Sequence, residues 1–447
     1  MSRIKDMTQG SPAKLLLAFT VPLVLGNLGQ QFYMIVDAII VGQGVGIKAL
    51  AAVGAADWTY WLILWVVQAL TQGFATRIAH HFGEGNRDRI RKSVSMSVLL
   101  CLLIGIILTV VGLLIIHPVL TALKTPEDIF GGAQSYLFTM FSGTLIVMAY
   151  NMAAAILRAF GDGKTPLIAV GIAGGLNIAL DLLFVMGFHW GIVGAAAATL
   201  LAQLAAFLYC FVVVKKLELL QMQPGDWKTD PVMIKELCSM GIPLALQHVI
   251  IVVGGMVLQS TINSQGFLFV AGFTAANKLV GLMESSALSF GYATTTYMAQ
   301  NYGAGLYGRI RKGMKSVILI VVLLSVIVSA IMLLGGEHIL QLFISASDGD
   351  APIVLRIAYR YLATMSFMLC ALYLLHGCRS TIQGLGNAVC PVISGIVEFF
   401  MRASAAVLLT KIWGTAVIYF AEPLAWCGAA LVVILGCIWK LRQLPKD

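Results

Sequence analysis

The short basic stretch "GEGNRDRIRK" at residues 83–92 returns 220 residues later as "GAGLYGRIRK" at 303–312. The two stretches are identical at six of ten positions, and long apolar runs flank both of them. A second echo joins "RAFGDGKTP" at 158–166 to "QGLGNAVCP" at 383–391, with one Gly and the final Pro in register. The chain is therefore predicted to consist of two similar halves.

The composition indicates a protein that lies almost entirely in or beside a lipid bilayer. Of the 447 residues, 59% are hydrophobic and only 11% are charged, whereas a soluble domain has about 25% charged residues. The mean hydropathy is +0.91. Apolar stretches of about 20 residues, long enough to cross a bilayer, recur from end to end. We therefore predict a polytopic membrane protein without a separate soluble domain.

Apolar runs bounded by charged residues or by Gly and Pro predict twelve membrane-spanning helices, so the fold class is all-α with six helices in each half. The predicted spans are 15–40, 49–76, 93–117, 134–157, 165–187, 191–214, 236–262, 268–296, 313–336, 353–379, 389–410 and 415–440. The predicted domains are an N-terminal lobe at 1–214, a cytoplasmic linker at 215–235 and a C-terminal lobe at 236–447.

The basic residues predict the orientation of the chain in the membrane. Most of the 29 Lys and Arg fall at the termini, in the linker and at alternate joints between spans, where Arg379 is also placed. The opposite face has few basic residues: Lys48, Lys124, Arg356, Arg360 and Lys411. The positive-inside rule then puts both termini in the cytoplasm. Two halves that both start inside form a parallel repeat, and a site between such halves suits alternating access.

The sequence does not support several other classes of protein. The basic residues lie in short loops and form no face on a folded domain, so no nucleic-acid partner is predicted. "GDGKT" at 161–165 resembles the end of a phosphate-binding loop, but position 158 is Arg where that motif has Gly. The eight cysteines are scattered without a C-x-x-C pair, and no metal-ligand spacing or nucleophile–base pair is recognisable. We predict neither an enzyme nor a metal cofactor.

Acidic residues within the apolar segments are candidate functional residues, because a carboxylate in hydrocarbon costs a few kcal/mol. In the first half, Asp37, Asp181 and Thr199 lie at a similar depth below the outer ends of three helices, and Asn177 is one turn from Asp181. No basic residue is available to neutralise them. Two carboxyls that share a low-dielectric site are suited to hold a proton. The alternative is that Asp37 only caps or hydrogen-bonds a neighbouring helix.

In the second half, Glu398 and Arg402 are spaced i, i+4, so we predict a structural ion pair that Glu422 can complete. Glu284 has Lys278 six residues away, a looser pairing, and a substrate-facing or a structural role for Glu284 stays open. Asp57 near three Trp residues is predicted as an interfacial anchor. His248 is predicted to be a hydrogen-bonded core residue.

Taken together, these stretches resemble the multidrug and toxic compound extrusion (MATE) transporters over nearly the whole chain. The strings that carry the resemblance are "VDAIIVGQGVGIKALAAVGAA" (36–56), "GFATRIAHHFGEG" (73–85), "LRAFGDGKTP" (157–166), "GLNIALDLLFV" (175–185), "GAAAAT" (194–199), "CRSTIQGLGNAVCP" (378–391) and "VEFFMR" (397–402). The resemblance implies two six-helix lobes in a V and export of organic cations or amphiphiles against inward H⁺ or Na⁺.

The likeness is to the DinF-like branch, whose motif has a Pro-bent first helix. The matching positions are Pro22, Gln30, Tyr33, Asp37, Asn177, Asp181 and Thr199. The other branch also uses an acid in the seventh helix, where this chain has Gln247 and His248. Coupling of H⁺ or Na⁺ is thus expected at Asp37, Asn177, Asp181 and Thr199, whose oxygens also suit a hard cation.

The expected substrate-binding residues are Gln30, Tyr33, Asn151 and Glu284. We expect a monomer in the cell membrane, surrounded by lipid, with small amphiphilic or cationic substrates and no cofactor besides the coupling ion. The alternative function is a flippase for lipids or lipid-linked precursors from the same superfamily, which predicts a large, strongly cationic cavity. A channel would need neither the acidic cluster nor the repeat.

Overall fold

Long apolar α-helices make up most of the protein in a computed structural model, which describes residues 4–342 and 350–445. The helices of the first half are α1 (Pro12–Gly44), α2 (Ile47–Gly83), α3 (Arg87–Ala122), α4 (Glu127–Ser142), α5 (Thr144–Ala159), α6 (Lys164–Asp181) and α7 (Gly191–Lys215). Those of the second half are α8 (Pro231–Asn263), α9 (Phe267–Gly303), α10 (Tyr307–Gln341), α11 (Ala351–Phe367), α12 (Leu369–Gly384), α13 (Val389–Ser404), α14 (Thr410–Trp413) and α15 (Ala421–Gln443).

The number of membrane crossings matches the prediction. Ten segments of the described chain are long and apolar enough to cross a bilayer, and two bent helix pairs bring the number to twelve if each pair is one span. Large apolar side chains remain exposed along the helices, as at Leu319, Leu323 and Val326 of α10, which are three or four residues apart. Such a stripe is what a lipid-facing helix presents. The predicted all-α polytopic fold is confirmed.

Two predicted spans are bent where the sequence gives no warning. The span at 134–157 divides into α4 and α5 with a bend of 49° at Gly143, and the span at 353–379 divides into α11 and α12 with a bend of 48° at Met368. A Cβ on Gly143 would overlap the side chain of Leu200. At the second break, the Ser329 hydroxyl donates to the Ser366 carbonyl across 2.5 Å. The breaks are 225 residues apart, so the repeat extends to irregular backbone.

The repeated basic stretch forms equivalent turns in the two halves. Gly85 and Gly305 have φ of +70° and +69°, a left-handed conformation that glycine adopts without steric cost. Each residue lies just after a long helix and just before the next one. In the first half, Asn86 then caps α3 by accepting a hydrogen bond from the Arg89 N–H at 3.1 Å. The glycine is thus the residue that this turn requires.

The chain separates into two compact units. Unit 1 comprises Met1–Asp6 and Val21–Ala245, and unit 2 comprises Met7–Thr20 and Leu246–Asp447. The segment predicted as a linker at 215–235 contains two short 3₁₀ helices, Glu218–Leu220 and Pro224–Trp227.

The linker segment packs on α3 within unit 1. Arg91 Nε lies 3.1 Å from Asp226 Oδ2, and Lys92 Nζ donates to the carbonyl of Lys228 at 2.5 Å. The linker segment thus places the acid Asp226 beside the basic residues at the start of α3.

Candidate functional site

In unit 1, α1 and α6 lie side by side, and small residues allow their close approach. A Cβ on Gly26 would lie 3.8 Å from Leu167, and a Cβ on Gly174 would lie 3.2 Å from the Tyr33 ring. The contact positions are seven residues apart on each helix, which is about two turns. Asp37 lies one turn beyond Tyr33 on α1, and Asp181 lies two turns beyond Gly174 on α6.

The carboxyls of Asp37 and Asp181 interact directly. Asp181 is completely buried, and both of its carboxyl oxygens, together with Asp37 Oδ1, have no hydrogen-bond donor in the described part of the chain. Two carboxyls can hydrogen-bond each other only when one of them carries a proton. No ion pair of the described residues involves either acid. The pair is therefore an acceptor site that lacks a positive charge.

Asn177 and Thr199 complete this site. Asn177 Nδ2 donates to Thr199 Oγ1 at 3.3 Å, which joins α6 to α7. This bond fixes the orientation of the amide, and Asn177 Oδ1 is buried without a donor from the described residues. Asn177 is one turn before Asp181, so its free oxygen and the carboxyl lie on the same face of α6. Such a set of oxygens is suited to a proton or a hard monovalent cation.

The predicted substrate-binding residues of unit 1 have different environments. Tyr33 lies within electrostatic reach of Asp37, Tyr60 and Tyr150. Gln30 is one turn before Tyr33 and partly exposed, whereas the Asn151 amide donates within its own helix to Val147 O at 2.8 Å. The structure thus brings Tyr33 to the carboxyl pair and leaves the Oδ1 and one N–H of the Asn151 amide for a ligand.

Pro22 is buried in the first third of α1, and the helix continues through it as far as Gly44. A proline inside a helix removes one backbone hydrogen bond and makes that turn easier to bend. The bend that the family resemblance implies is therefore not a break in α1 here.

Two tyrosines near the site were missed by the sequence reasoning. The Tyr60 hydroxyl lies beside Gln203 and within reach of Asp57, and Tyr150 lies near Tyr33. The spacing could have indicated Tyr60, because it lies three residues after Asp57 and therefore on the same face of α2.

In unit 2, the embedded charges form a chain of ion pairs. Arg402 is bonded to Glu398 at 2.9 Å and to Glu422 at 2.6 Å, and Glu398 is also bonded to Arg379 at 2.8 Å. Arg379, Glu398 and Arg402 are all less than a tenth exposed. The four residues come from α12, α13 and α15, so these bonds link three helices of the unit.

Arg379 was predicted to lie in a cytoplasmic joint between spans, but it lies within α12. It is 7% exposed, and its guanidinium also donates to Ser394 Oγ at 3.1 and 3.2 Å. The prediction was wrong because the helix extends beyond the apolar run, to Gly384, and a buried carboxylate compensates the charge.

Glu284 is not paired with Lys278. Six residues correspond to about 600° around a helix, which leaves the two side chains on different faces. Lys278 is exposed, and Glu284 instead lies within electrostatic reach of Glu422, Arg402 and Glu398. His248 and His376 face the other end of the chain of ion pairs, near Arg379 and Glu398. His376 was not singled out from the sequence.

A polytopic helical protein with two repeated halves and an uncompensated acidic site within a span has the construction of a secondary transporter. The family model described as MatE matches residues 22–183 and 243–408. The chain belongs to this family, so it is a multi-pass membrane transporter and the predicted family is confirmed.

Similar proteins cover most of the chain. It is 30% identical to "Probable multidrug resistance protein YpnP" of Bacillus subtilis (strain 168), over 77% of this chain and 78% of that protein. It is 26% identical to "Probable multidrug resistance protein NorM" of Thermotoga maritima, over 96% and 91%. A solved structure described as an outward-facing multidrug resistance MATE family transporter of the MOP superfamily has a TM-score of 0.91 at 23% identity, covering 99% and 98% of the two chains.

Proposed function

We propose that this protein exports organic cations and other amphiphilic compounds across the cell membrane in exchange for inward H⁺ or Na⁺, with both chain termini in the cytoplasm. The relatives named multidrug resistance proteins support the export of drug-like compounds. The observation that carries the exchange is the contact between the carboxyls of Asp37 and Asp181, neither of which forms an ion pair with a basic residue among residues 4–342 and 350–445.

The proposed mechanism follows from this lack of compensation. Two carboxylates in contact repel each other, so the pair accepts one positive charge from whatever source reaches it. A proton, a sodium ion and the cationic group of a drug then compete for the same oxygens. Competition means that occupancy by the coupling ion lowers the affinity for the drug, and the converse holds by linkage. Antiport needs this mutual exclusion together with alternating access.

Helix α1 supplies a means of converting ion binding into a change of shape. Asp37 and Pro22 lie on the same helix, about four turns apart. Because Pro22 has already removed one backbone hydrogen bond, bending there costs less than elsewhere in α1. Neutralising Asp37 replaces its repulsion from Asp181 by a hydrogen bond or a shared ion, and this change lets α1 bend at Pro22, which releases the drug. Loss of the ion restores the straight helix and the drug-binding state.

The flippase alternative is less well supported. A phosphorylated headgroup needs free cationic side chains, but the embedded guanidiniums of Arg379 and Arg402 are already bonded to Glu398 and Glu422. The acceptor groups of unit 1 would repel a phosphate. The charge distribution thus favours cationic over anionic substrates.

The proposal is tested by efflux of ethidium from proteoliposomes under an imposed pH gradient and, separately, a Na⁺ gradient. Wild type should respond to at least one gradient, and Asp37→Asn and Asp181→Asn should respond to neither. The control is Asp128→Asn, which removes an exposed carboxylate from the same unit and should transport like wild type. The antiporter assignment is contradicted if wild type ignores both gradients or if the two Asn variants transport normally.

A further inference from the structure

The charges embedded in unit 2 do not cancel. Three carboxyls, those of Glu284, Glu398 and Glu422, lie within reach of one another, and two guanidiniums, those of Arg379 and Arg402, lie among them. Guanidiniums stay protonated in proteins. The cluster therefore has one carboxyl more than it has positive charges.

Glu284 is the carboxyl of this cluster that is not bonded to a guanidinium. The terminal nitrogens of Arg402 are occupied by Glu398, Glu422 and the Ile251 carbonyl, the last at 3.0 Å. Arg379 is occupied by Glu398 and Ser394. Glu284 has no hydrogen-bond partner among the described residues, although it lies within electrostatic reach of Arg402. It is also partly exposed, whereas Glu398 and Arg402 are buried.

A second unpaired atom supports the same conclusion. Arg402 Nε is buried without an acceptor in the described part of the chain. A buried guanidinium N–H is rarely left unpaired when a carboxylate is near. The two strong bonds of Arg402 to Glu398 and Glu422 thus hold its guanidinium in an orientation that leaves Glu284 without compensation.

We propose that Glu284 is a second cation-binding position, located in unit 2, which takes the ammonium-type group of an exported compound. Arg402 and Glu422 are positioning residues: Glu422 holds Arg402 away, and Glu284 thereby keeps its capacity for an external cation. This inference rests on the proposed export of organic cations and adds a site to it. The positive charge of the ligand replaces the one that the cluster lacks.

The test is an equilibrium titration of the purified, detergent-solubilised protein with ethidium at alkaline pH without Na⁺. Wild type should bind about two equivalents per chain, one in each unit. Glu284→Gln should bind one equivalent fewer, or bind that equivalent at least about tenfold more weakly, because a charge-assisted contact contributes about this much. Glu337→Gln, an exposed carboxyl of α10 outside the cluster, is the matched control and should bind like wild type.

Glu422→Gln provides the sharper test because it leaves Glu284 in place. Removing the Glu422 charge frees one N–H of Arg402 Nη2 to pair with Glu284, and the cluster becomes neutral. The variant should therefore lose the same equivalent of ethidium as Glu284→Gln, whereas Glu422→Asp should retain it. Thermal unfolding of each variant identifies any that fails to fold, in which case Glu284→Gln decides.

The outcomes separate this site from the proposed antiport. The double variant Asp37→Asn, Asp181→Asn should lose the other equivalent and keep the one that depends on Glu284. If wild type binds a single equivalent, or if Glu284→Gln binds as much and as tightly as wild type, the site in unit 2 is refuted and the antiport proposal still stands. Failure of gradient-driven efflux together with a Glu284-dependent equivalent would refute the antiport alone.

Discussion

Unit 1 and unit 2 embed their acidic residues in opposite ways. In unit 1, Asp37 and Asp181 contact each other, and three of their four oxygens are buried without a donor or a basic partner among the residues that the structure describes. In unit 2, Glu398 is bonded to Arg379 and Arg402 at 2.8 and 2.9 Å. The helices around both sites follow the same repeated plan. The difference therefore comes from the side chains and not from the backbone.

The comparison shows how to distinguish a structural carboxylate from a working one within a membrane. A compensated acid such as Glu398 contributes to the folded state, because its partners would be left charged and buried without it. An uncompensated acid such as Asp181 lowers the free energy of unfolding. A protein keeps such an acid where a bound ion or substrate supplies the positive charge. The two kinds of site should then respond to the same mutation with opposite signs.

The largest expected effect is in unit 2. Glu398→Gln leaves Arg379 and Arg402 without their shared partner, and breaking a buried pair of this kind costs about 3–5 kcal/mol. We expect a large drop in thermal stability in detergent, measured by fluorescence or calorimetry. Glu337→Gln on an exposed part of the same unit is the control. An unchanged unfolding temperature for Glu398→Gln would show that the ion pairs do not support the fold.

Asp181→Asn should have the opposite effect on stability and a strong effect on transport. The amide keeps the shape of the carboxyl and removes an uncompensated charge, so the unfolding temperature should stay the same or rise. Gradient-driven efflux should fall at least about 100-fold, because the site loses its attraction for the coupling ion. A destabilised variant with normal coupling would reverse the proposed roles of the two units.

The bond between Asn177 and Thr199 should have a moderate effect. Thr199→Val removes the acceptor of the Asn177 amide, which costs about 1 kcal/mol and frees the amide to rotate. Coupled efflux should fall several-fold, and the ion concentration for half-maximal transport should rise. Thr199→Ser keeps the hydroxyl and should restore both values. Equal defects in the Val and Ser variants would mean that packing of the Thr methyl matters more than the bond.

The smallest effect is expected for the exposed ion pair of unit 1. Lys48 Nζ and Asp128 Oδ2 are 3.1 Å apart, but both side chains are more than 70% exposed. Surface pairs of this kind contribute at most about 1 kcal/mol. Asp128→Asn should therefore change neither the unfolding temperature nor efflux by a measurable amount. A clear loss of coupling in this variant would show that an acid need not be embedded to matter.

The sequence indicated some of these features directly. Equal depth in three helices pointed to a cluster around Asp37, Asp181 and Thr199, and i, i+4 spacing pointed to the contact of Glu398 with Arg402. The bends at Gly143 and Met368 were not predicted, because Ser142, Gly143 and Thr144 interrupt the first apolar run only briefly and Met368 lies among apolar residues. The contact of Gly143 with Leu200 is a tertiary contact, which the sequence does not show.

Arg379 and Glu284 show the limit of reading charges one span at a time. From the sequence, a charged residue near the end of an apolar run is predicted to lie in a loop. Only the tertiary structure shows that Glu398 lies beside Arg379. Likewise, the nearest basic residue in sequence to Glu284 is Lys278, but the structure places Glu284 within electrostatic reach of Arg402. Pairing across helices depends on rotation about the helix axes, which a single sequence does not specify.

The central claim is that the Asp37–Asp181 pair holds either the coupling ion or the drug, but not both. Equilibrium binding of ethidium to purified protein, titrated against pH and then against Na⁺, tests it most directly. In wild type, affinity should fall as pH falls or as Na⁺ rises, because a neutralised pair no longer attracts a cation, and the effective ion identifies the coupling partner. Glu284→Gln removes the cation site proposed in unit 2, and adding Asp37→Asn and Asp181→Asn to this background should abolish the dependence on both. If Glu284→Gln with both Asn substitutions shows the same dependence on pH or Na⁺ as Glu284→Gln alone, the coupling site lies elsewhere in the protein.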